Sequence, residues 1–373
     1  MATMKLTTQQ QVEDFVRGCT FFATGGGGLP ANGRKSLMDE LEAGREIGWV
    51  DVADIPDDAV SVCPFLMGSI APHNEATIRE MASYGMTAET SVNLEGDRMA
   101  KAIEALQAYT GKKFDVVVPI ELAGANTAAA MAAAAKLGMV TVDGDYTGRA
   151  IPEIVQITYN YNGHCLTPVA SIDEWGNECI IKTAINPRTV EHLGKLISVA
   201  GYGLAGQAGM ALDGKATCET VIPGTLSECY AAGKLLRESR EAGRDFVQAL
   251  LEAFGGWELG RGVITAKEDS DEGGYYWGAV TVDCGSDELK YWFKNENHVV
   301  WKNGEPYVTS PDIIAAIDLE TGEPVPNPLS HTGQKIALVA LPCKPQQENA
   351  ALLMPRYFGF DIDHVPLREV MGQ

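Results

Sequence analysis

Residues 125–137 form an alanine-rich segment that lies between two short apolar runs, 114–120 and 139–142. The apolar runs have the length and composition of buried strands. A helix made almost entirely of Ala, Met and Leu has no polar face, so it must be packed on both sides, as in a layered domain. With a further strand predicted over 60–67, the pattern indicates a β-α-β unit and an α/β fold.

Four consecutive glycines, Gly25, Gly26, Gly27 and Gly28, follow a predicted helix over 7–18 that ends at Gly18. Glycine reaches φ > 0 and has no Cβ, so such a loop can direct several N–H groups at one ligand or let another segment pass closely. A predicted helix over 33–43 adds a partial positive charge at its start. A flexible surface turn is the alternative. We predict that Thr24 and the four glycines bind substrate.

The pattern changes after residue 165 to short alternating segments. Strands are predicted over 179–183, 262–267, 275–283, 289–293, 299–301, 307–309 and 335–341. Helices are predicted over 225–241 and 244–254. At 373 residues the chain exceeds the usual size of one core. We therefore predict a layered α/β domain over 1–165 and a β-rich domain with two inserted helices over 166–373.

The composition limits which kinds of partner the protein is expected to bind and where in the cell it is expected to lie. The formal net charge of −21 disfavours nucleic acid and anionic membranes as partners. No apolar run approaches the roughly 18 residues of a membrane-spanning helix, and the polar first residues lack a signal-peptide core. We expect a cytoplasmic protein. The eight cysteines contain no C-x-x-C pair, which argues against a zinc finger or a dithiol redox motif.

Polar and charged side chains follow the strands over 114–120 and 139–142. They are Glu121, Asn126, Asp143, Asp145, Arg149 and Glu153. Ligands of parallel α/β sheets gather at the carboxyl ends of the strands. The carboxylates of Glu121, Asp143 and Asp145 can share a divalent cation, act as acid and base, or bind polar groups of a ligand. Arg149 can pair with them or with a substrate carboxylate. Helix capping and loop formation are the alternative roles.

Metal binding and covalent catalysis have weaker signals. No histidine shows H-x-H or H-E-x-x-H spacing, so a metal site would have to be assembled across the fold. His73, on a predicted loop over 68–73, and His164 are the best histidine candidates, together with Asp143 and Asp145, and zinc is the favoured ion. An ordinary polar or capping histidine is the alternative. G-x-S-x-G is absent, and Pro30 interrupts any G-x-G-x-x-G fingerprint.

Two polar segments of the β-rich half, 294–297 and 310–312, follow predicted strands. They can reach the sheet edge that carries the candidate site residues, or they can form turns, and we favour turns.

Several motifs together resemble the S-methyl thiohydantoin desulfurase family. They are the glycine loop, Gly68-Ser69 with Pro72, Glu121 with Gly124 and Asn126, Asp143-x-Asp145-x-x-Gly148-Arg149-Ala150-x-Pro152-Glu153, Asn295-Glu296, Pro311-Asp312 and Pro355-Arg356-x-Phe358-Gly359. The resemblance runs from about residue 12 to residue 366, and the Asp-x-Asp block is its most specific part.

The resemblance implies a hydrolase that acts on a five-membered cyclic amide, a hydantoin or a thiohydantoin, with water replacing a sulfur leaving group or opening the ring. Such chemistry needs an activated water, a base and oxyanion donors. Glu121, Asp143 and Asp145 are then the base or metal ligands. Asn126 and the glycine-loop N–H groups stabilise negative charge, and Arg149 positions a substrate carboxylate.

Two other functions stay open. The chain can be an auxiliary subunit of a hydantoinase or oxoprolinase-type complex, because genes of this family often lie near those of such proteins. It can also be a nucleotide- or phosphate-binding protein that uses the glycine loop. A homo-oligomer is expected on base rates alone.

Overall fold

A computed structural model describes residues 3–69, 73–91 and 95–372. Ile70, Ala71 and Pro72 of the predicted loop over 68–73 lie outside the described residues. The described residues form the helices α1 (Gln9–Phe22), α2 (Pro30–Glu42), α3 (Glu75–Ser83), α4 (Glu95–Thr110), α5 (Asn126–Leu137), α6 (Thr158–Tyr161), α7 (Pro187–Ala200), α8 (Gly214–Thr220), α9 (Thr225–Glu241), α10 (Phe246–Phe254) and α11 (Leu367–Val370). No helix among them is long and apolar enough to cross a membrane.

The strands divide between an N-terminal mixed sheet, a small ribbon and a C-terminal sheet. They are β1 (Met4–Leu6), β2 (Ile47–Val50), β3 (Val60–Met67), β4 (Val116–Val117), β5 (Val140–Val142), β6 (Gly144–Asp145), β7 (Val169–Ile172), β8 (Glu178–Ile181), β9 (Ala205–Asp213), β10 (Ile222–Pro223), β11 (Trp257–Glu272), β12 (Tyr275–Asp283), β13 (Glu288–Lys294), β14 (Glu296–Lys302), β15 (Glu305–Thr309), β16 (Ile313–Asp318) and β17 (Lys335–Leu341).

The first sheet has the strand order β1-β2-β5-β4-β3-β9-β7-β8. Its central strands β2, β5, β4 and β3 run parallel, and β1, β9, β7 and β8 add antiparallel pairs. All residues of α5 from Asn126 to Ala135 are buried, as its composition requires. The predicted layered α/β architecture is confirmed. Because this sheet takes β7, β8 and β9 from beyond residue 165, the division at that residue stays a prediction.

The second sheet is antiparallel throughout, in the order β15-β14-β13-β12-β11-β17-β16. The predicted β-rich C-terminal half is confirmed. Helices α9 and α10 interrupt it where the sequence places helices. Among the elements that were not predicted are helices α3, α4 and α7 and strands β2, β7, β9 and β16.

The first predicted helix does not end at Gly18, because α1 continues to Phe22. Gly18 is a contact point between helices. A Cβ there would lie 1.6 Å from the carbonyl oxygen of Cys229 in α9, and a Cβ on Gly233 would lie 1.8 Å from that of Asp14. The two glycines let α1 and α9 cross in close contact, so the glycine reports packing rather than helix termination.

Candidate active site

A small pocket with a cavity volume of about 40 Å³ lies where the two sheets meet. Elements from both halves of the chain contribute to its wall. The lining residues are Gly27, Gly28, Phe65, Leu66, Met67, Gly68, Ile120, Glu121, Asn126, Ile151, Pro152, Ile154, Lys195, Leu204, Asn295 and Glu296. One part of the wall is therefore apolar, and the other carries two carboxyl groups, two amides and one ammonium group.

The glycine loop is packed too closely to carry side chains. A Cβ on Gly26 would lie 1.9 Å from Oε1 of Glu296, and a Cβ on Gly27, where φ is +71°, would lie 2.2 Å from the Cβ of Ala123. The loop is therefore a buried contact between the halves of the chain and not a flexible surface turn.

The backbone of Gly27 and Gly28 has hydrogen-bonding capacity to spare. Within the described residues, neither N–H group donates a hydrogen bond, whereas the Gly27 carbonyl accepts from the N–H groups of Ala125 and Asn126, both at 3.3 Å. Helix α2 begins two residues later, and Leu29 at its start provides no side-chain cap. Free N–H groups beside a helix N-terminus create a local positive potential at the pocket wall.

Glu121 is buried at the pocket, and its position is fixed by two donors. Asn126 Nδ2 donates to Oε1 at 2.6 Å, and the N–H group of Ile151 donates to Oε2 at 2.8 Å. Asn126 is fixed in turn, because its Oδ1 accepts from the N–H group of Leu66 at 2.9 Å. Burial raises the pKa of Glu121 to about 7. A carboxyl group in this state can take up or release a proton near neutral pH.

Glu296 reaches the same pocket from the start of β14. Its Oε2 atom is buried and has no hydrogen-bond partner in the described part of the chain. The pKa of Glu296 is raised well above its ordinary value, mainly by burial and secondly by the negative charge of Glu121. The negative charge of Glu121 disfavours ionisation of Glu296, so one carboxyl group can be ionised while the other stays neutral, which suits acid–base chemistry.

Lys195 in α7 supplies the ammonium group of the pocket. Its Nζ donates to the carbonyl oxygens of Gly68 at 3.0 Å and Gly274 at 3.3 Å, and lies 4.2 Å from the centre of the Tyr275 ring. Burial lowers its pKa, and the nearby carboxylates oppose that shift. Lys195 therefore joins the end of β3 to the β11–β12 hairpin of the second sheet.

Arg149 is buried next to the glycine loop, and all five of its N–H donors are used within the protein. It donates to the carbonyl oxygens of Ala150, Pro311, Asp312 and Asn297 and to the hydroxyl of Thr24, at 2.9–3.2 Å. Burial lowers its pKa to about 10. This arrangement leaves no donor for the predicted contact with a substrate carboxylate, and it explains why segment 310–312 is more than a turn.

Asp143 and Asp145 occupy the capping roles that formed the alternative prediction. Asp145 is fully buried, and its Oδ2 accepts from the N–H groups of Thr147 and Gly148 at 2.9 and 2.8 Å and from the Thr147 hydroxyl at 2.8 Å. Its Oδ1 has no partner in the described residues. Burial raises the pKa of Asp145 to about 6. Asp143 accepts from the N–H and hydroxyl groups of Ser227 in the first turn of α9. Neither is among the residues that line the pocket.

The remaining predicted site residues are dispersed. Thr24 and Gly25 contact Arg149 and Asn327. Glu153 forms a buried ion pair with Lys294 and accepts from the Tyr357 hydroxyl at 2.5 Å.

The predicted metal ligands do not come together. His73 is exposed near Ser69 and Thr77, whereas His164 Nε2 lies 3.3 Å from the Thr220 hydroxyl. The described residues contain no group of three or more His, Cys, Asp or Glu side chains that could hold a metal ion. These residues do not fit the predicted divalent metal, and zinc binding stays a prediction without a donor set.

Sequence reasoning missed Lys195 as a site residue and assigned Glu296 to a turn segment. Helix α7 had a readable start, because Asn186 caps it and Pro187 occupies its first position. Glu296 had a weaker signal, since Asn295 with φ of +57° forms the turn that we expected, and the residue after it enters the pocket.

The fold and pocket define a mixed α/β protein with a buried pocket, lined by two carboxyl groups, where its two sheets meet. The family described as S-Me-THD-like matches the chain in two parts, its N-terminal domain over residues 10–183 and its C-terminal domain over residues 185–367. The chain therefore belongs to the S-Me-THD-like family, and the resemblance found in the sequence is confirmed.

The fold is also present in a crystal structure of a protein from Chromobacterium violaceum. That protein is 22% identical, with a TM-score of 0.77 over 98% of this chain and 100% of the other. Comparison with curated proteins gives no match.

Proposed function

We propose that this protein is a hydrolase of five-membered cyclic amides of the S-methyl thiohydantoin or hydantoin type, and that the reaction takes place in the pocket where the two sheets meet. The pair of buried carboxyl groups, Glu121 and Glu296, carries the proposal, because hydrolysis needs a group that accepts a proton from water and a group that donates one to the substrate. Membership of the S-Me-THD-like family supports the choice of ring.

The two carboxyl groups can complete a balanced reaction on an S-methyl thiohydantoin. Ionised Glu121 takes a proton from water as the water oxygen bonds to the ring carbon that carries sulfur, and neutral Glu296 gives its proton to the adjacent ring nitrogen. The new hydroxyl then returns a proton to Glu296, the carbon–sulfur bond breaks, and Glu121 gives its proton to the departing sulfur. The products are a hydantoin and methanethiol, and both carboxyl groups regain their first state.

The other groups of the pocket support this chemistry without taking part in proton transfer. The N–H groups of Gly27 and Gly28 and the start of α2 stabilise negative charge that develops on a ring oxygen or nitrogen. Asn126 is a positioning residue that holds Glu121. Arg149 is another, because it anchors the glycine loop through Thr24 and the second sheet through Asn297.

The pocket's charge argues against the nucleotide or phosphate alternative. A phosphate at Gly27 and Gly28 would lie in a pocket that also contains Glu121 and Glu296, and the cations Lys195 and Arg149 already bond to protein groups.

The auxiliary-subunit alternative predicts a site that a second protein completes. Here both carboxyl groups and the free N–H groups come from one chain.

The test is turnover of a small panel of S-methyl thiohydantoins and hydantoins by protein purified without an affinity tag, in water enriched in oxygen-18. We expect methanethiol, detected with a thiol reagent, and one oxygen-18 atom in the hydantoin. Label in a ring-opened acid instead would assign ring hydrolysis at the same site. Absence of turnover across the panel, also after addition of a hydantoinase-type protein, would contradict the proposal. Turnover that chelation abolishes would contradict a mechanism that uses the two carboxyl groups alone.

A further inference from the structure

Strand β8 is at the free end of the first sheet. It pairs with β7 on one side, from Val169 opposite Ile181 to Ile172 opposite Glu178. Its other side pairs with no strand in the described part of the chain. A sheet edge of this kind presents unpaired N–H and C=O groups, and such edges are the usual place where a second chain adds a strand.

The hairpin fixes which residues of β8 present those groups. The N–H group of Asp173 donates to the carbonyl of Asn177 at 3.2 Å, and ladder bonds alternate along an antiparallel pair. Cys179 and Ile181 therefore direct their backbone groups at β7. Glu178 and Ile180 direct theirs at the free edge, and Lys182 follows directly after the strand.

The charged residues along this edge would pair with opposite charges on the same edge of a second copy. When two copies of β8 pair antiparallel about a two-fold axis at Ile180, Glu178 of each copy faces Lys182 of the other. Both side chains are exposed in the single chain. Opposite charges directly across an antiparallel pair stabilise it, and like charges destabilise it. A shift of the axis by one residue separates both charge pairs.

An apolar surface next to the edge extends the contact. Helix α7 packs beside β8, and a groove of about 600 Å³ runs between them, lined by Ile181, Leu193 and Ile197 among others. Leu196 and Val199 of α7 are 50% and 48% exposed, which is unusual for large apolar side chains on one helix. An isologous contact between two copies would place these helices side by side.

We propose that this protein forms a two-fold symmetric dimer through β8, with the register centred on Ile180 and the groove beside α7 covered by the partner copy. The same helix carries Lys195 to the pocket from its inner side, so the dimer contact would support the site from outside.

Charge reversal tests the register. In light scattering or sedimentation, the Glu178→Lys and Lys182→Glu variants should each weaken dimerisation about tenfold or more, because each creates two like-charge pairs. The double variant should restore it. Glu305→Lys, on the free edge of the other sheet, is the matched control and should have no effect.

A cysteine at the axis tests the geometry separately. Residues opposite each other in a hydrogen-bonded antiparallel pair have Cα atoms about 5.5 Å apart, within the range of a disulfide. Ile180→Cys should therefore give a covalent dimer under oxidised glutathione, whereas the wild type should not. A wild type that is monomeric at the highest workable concentration would overturn the proposal. So would a dimer whose affinity does not change in the charge-reversal variants, or an Ile180→Cys variant that forms no disulfide between copies.

Discussion

The two sides of the glycine loop differ in how completely their polar groups are paired. At Thr24 and Gly25, the loop meets Arg149, whose five donors all have acceptors within the protein. At Gly27 and Gly28, the same loop meets the pocket, where two N–H groups and Oε2 of Glu296 have no partner in the described residues. Both clusters are buried. Complete pairing fits a structural role for Arg149, and the spare capacity at Gly27, Gly28 and Glu296 leaves groups that a ligand can pair with, because unpaired buried groups cost stability unless a ligand or water satisfies them.

Replacing Glu121 should give the largest effect. Glu121→Gln removes the proposed base while keeping the shape of the side chain, so we expect kcat to fall about 10²–10⁴-fold, in the range measured for general acid–base groups. Near-UV circular dichroism should show a native fold. A variant with full turnover would remove Glu121 from the mechanism and leave the comparison without its functional side.

The paired side of the loop should respond in stability. Arg149→Met removes five hydrogen bonds and leaves several buried carbonyl oxygens without a donor, so we expect the free energy of unfolding to fall by about 2–4 kcal/mol. Urea denaturation measures this change. Arg149→Lys should recover only part of the loss, because one ammonium group cannot replace a planar fork of donors. Normal stability with abolished turnover would instead indicate direct contact with substrate.

A methyl group at the boundary between the two clusters should affect both properties. In Gly26→Ala, the added Cβ would lie 1.9 Å from Oε1 of Glu296, so the carboxyl group must move or the loop must shift. We expect a destabilisation of about 1–3 kcal/mol, typical of overpacking, together with reduced turnover. Gly203→Ala is the matched control, since the added Cβ would meet nothing within 4 Å. Equal effects in the two variants would rule out a specific contact with Glu296.

The sequence predicted the architecture well because that architecture depends on local patterns. Strands 60–67, 275–283 and 335–341 and helix 225–241 agree with the structure to the residue. Of the predicted site residues, Glu121, Asn126, Gly27 and Gly28 line the pocket. Glu296 and Lys195 come to the pocket only through packing between distant segments, which no local pattern encodes.

The pattern of carboxylates after strands was ambiguous for the same reason. Asp145 and Glu121 both follow strands of the parallel sheet, yet Asp145 turns back onto its own loop at Thr147 and Gly148. Glu121 instead bonds to Asn126 at the start of α5 and lines the pocket together with Glu296 of the second sheet.

The pH dependence of stability should distinguish the unpaired site from the paired cluster. Glu121 has a folded-state pKa of about 7, above the ordinary value near 4.3 of an unfolded chain. Between these values the unfolded state releases the proton and the folded state keeps it, so stability falls as pH rises, by as much as about 4 kcal/mol. The thermal stability of Glu121→Gln relative to wild type should therefore improve from pH 4.5 to pH 8, as scanning calorimetry would show. Activity should rise through pH 7 as Glu121 ionises.

Replacing Asp143 should give the smallest effect, because its carboxylate lies outside the pocket and caps the first turn of α9 through Ser227. Asp143→Asn keeps an acceptor for the N–H group and loses the charge at a helix N-terminus, so the free energy of unfolding should fall by about 0.3–1 kcal/mol. Turnover at saturating substrate should stay at the wild-type level when both proteins are assayed well below their melting temperatures. A large loss of kcat in this variant would mean that the Asp-x-Asp block, the most specific part of the family pattern, acts in catalysis. The contrast between the two sides of the loop would then not be sufficient to locate the site.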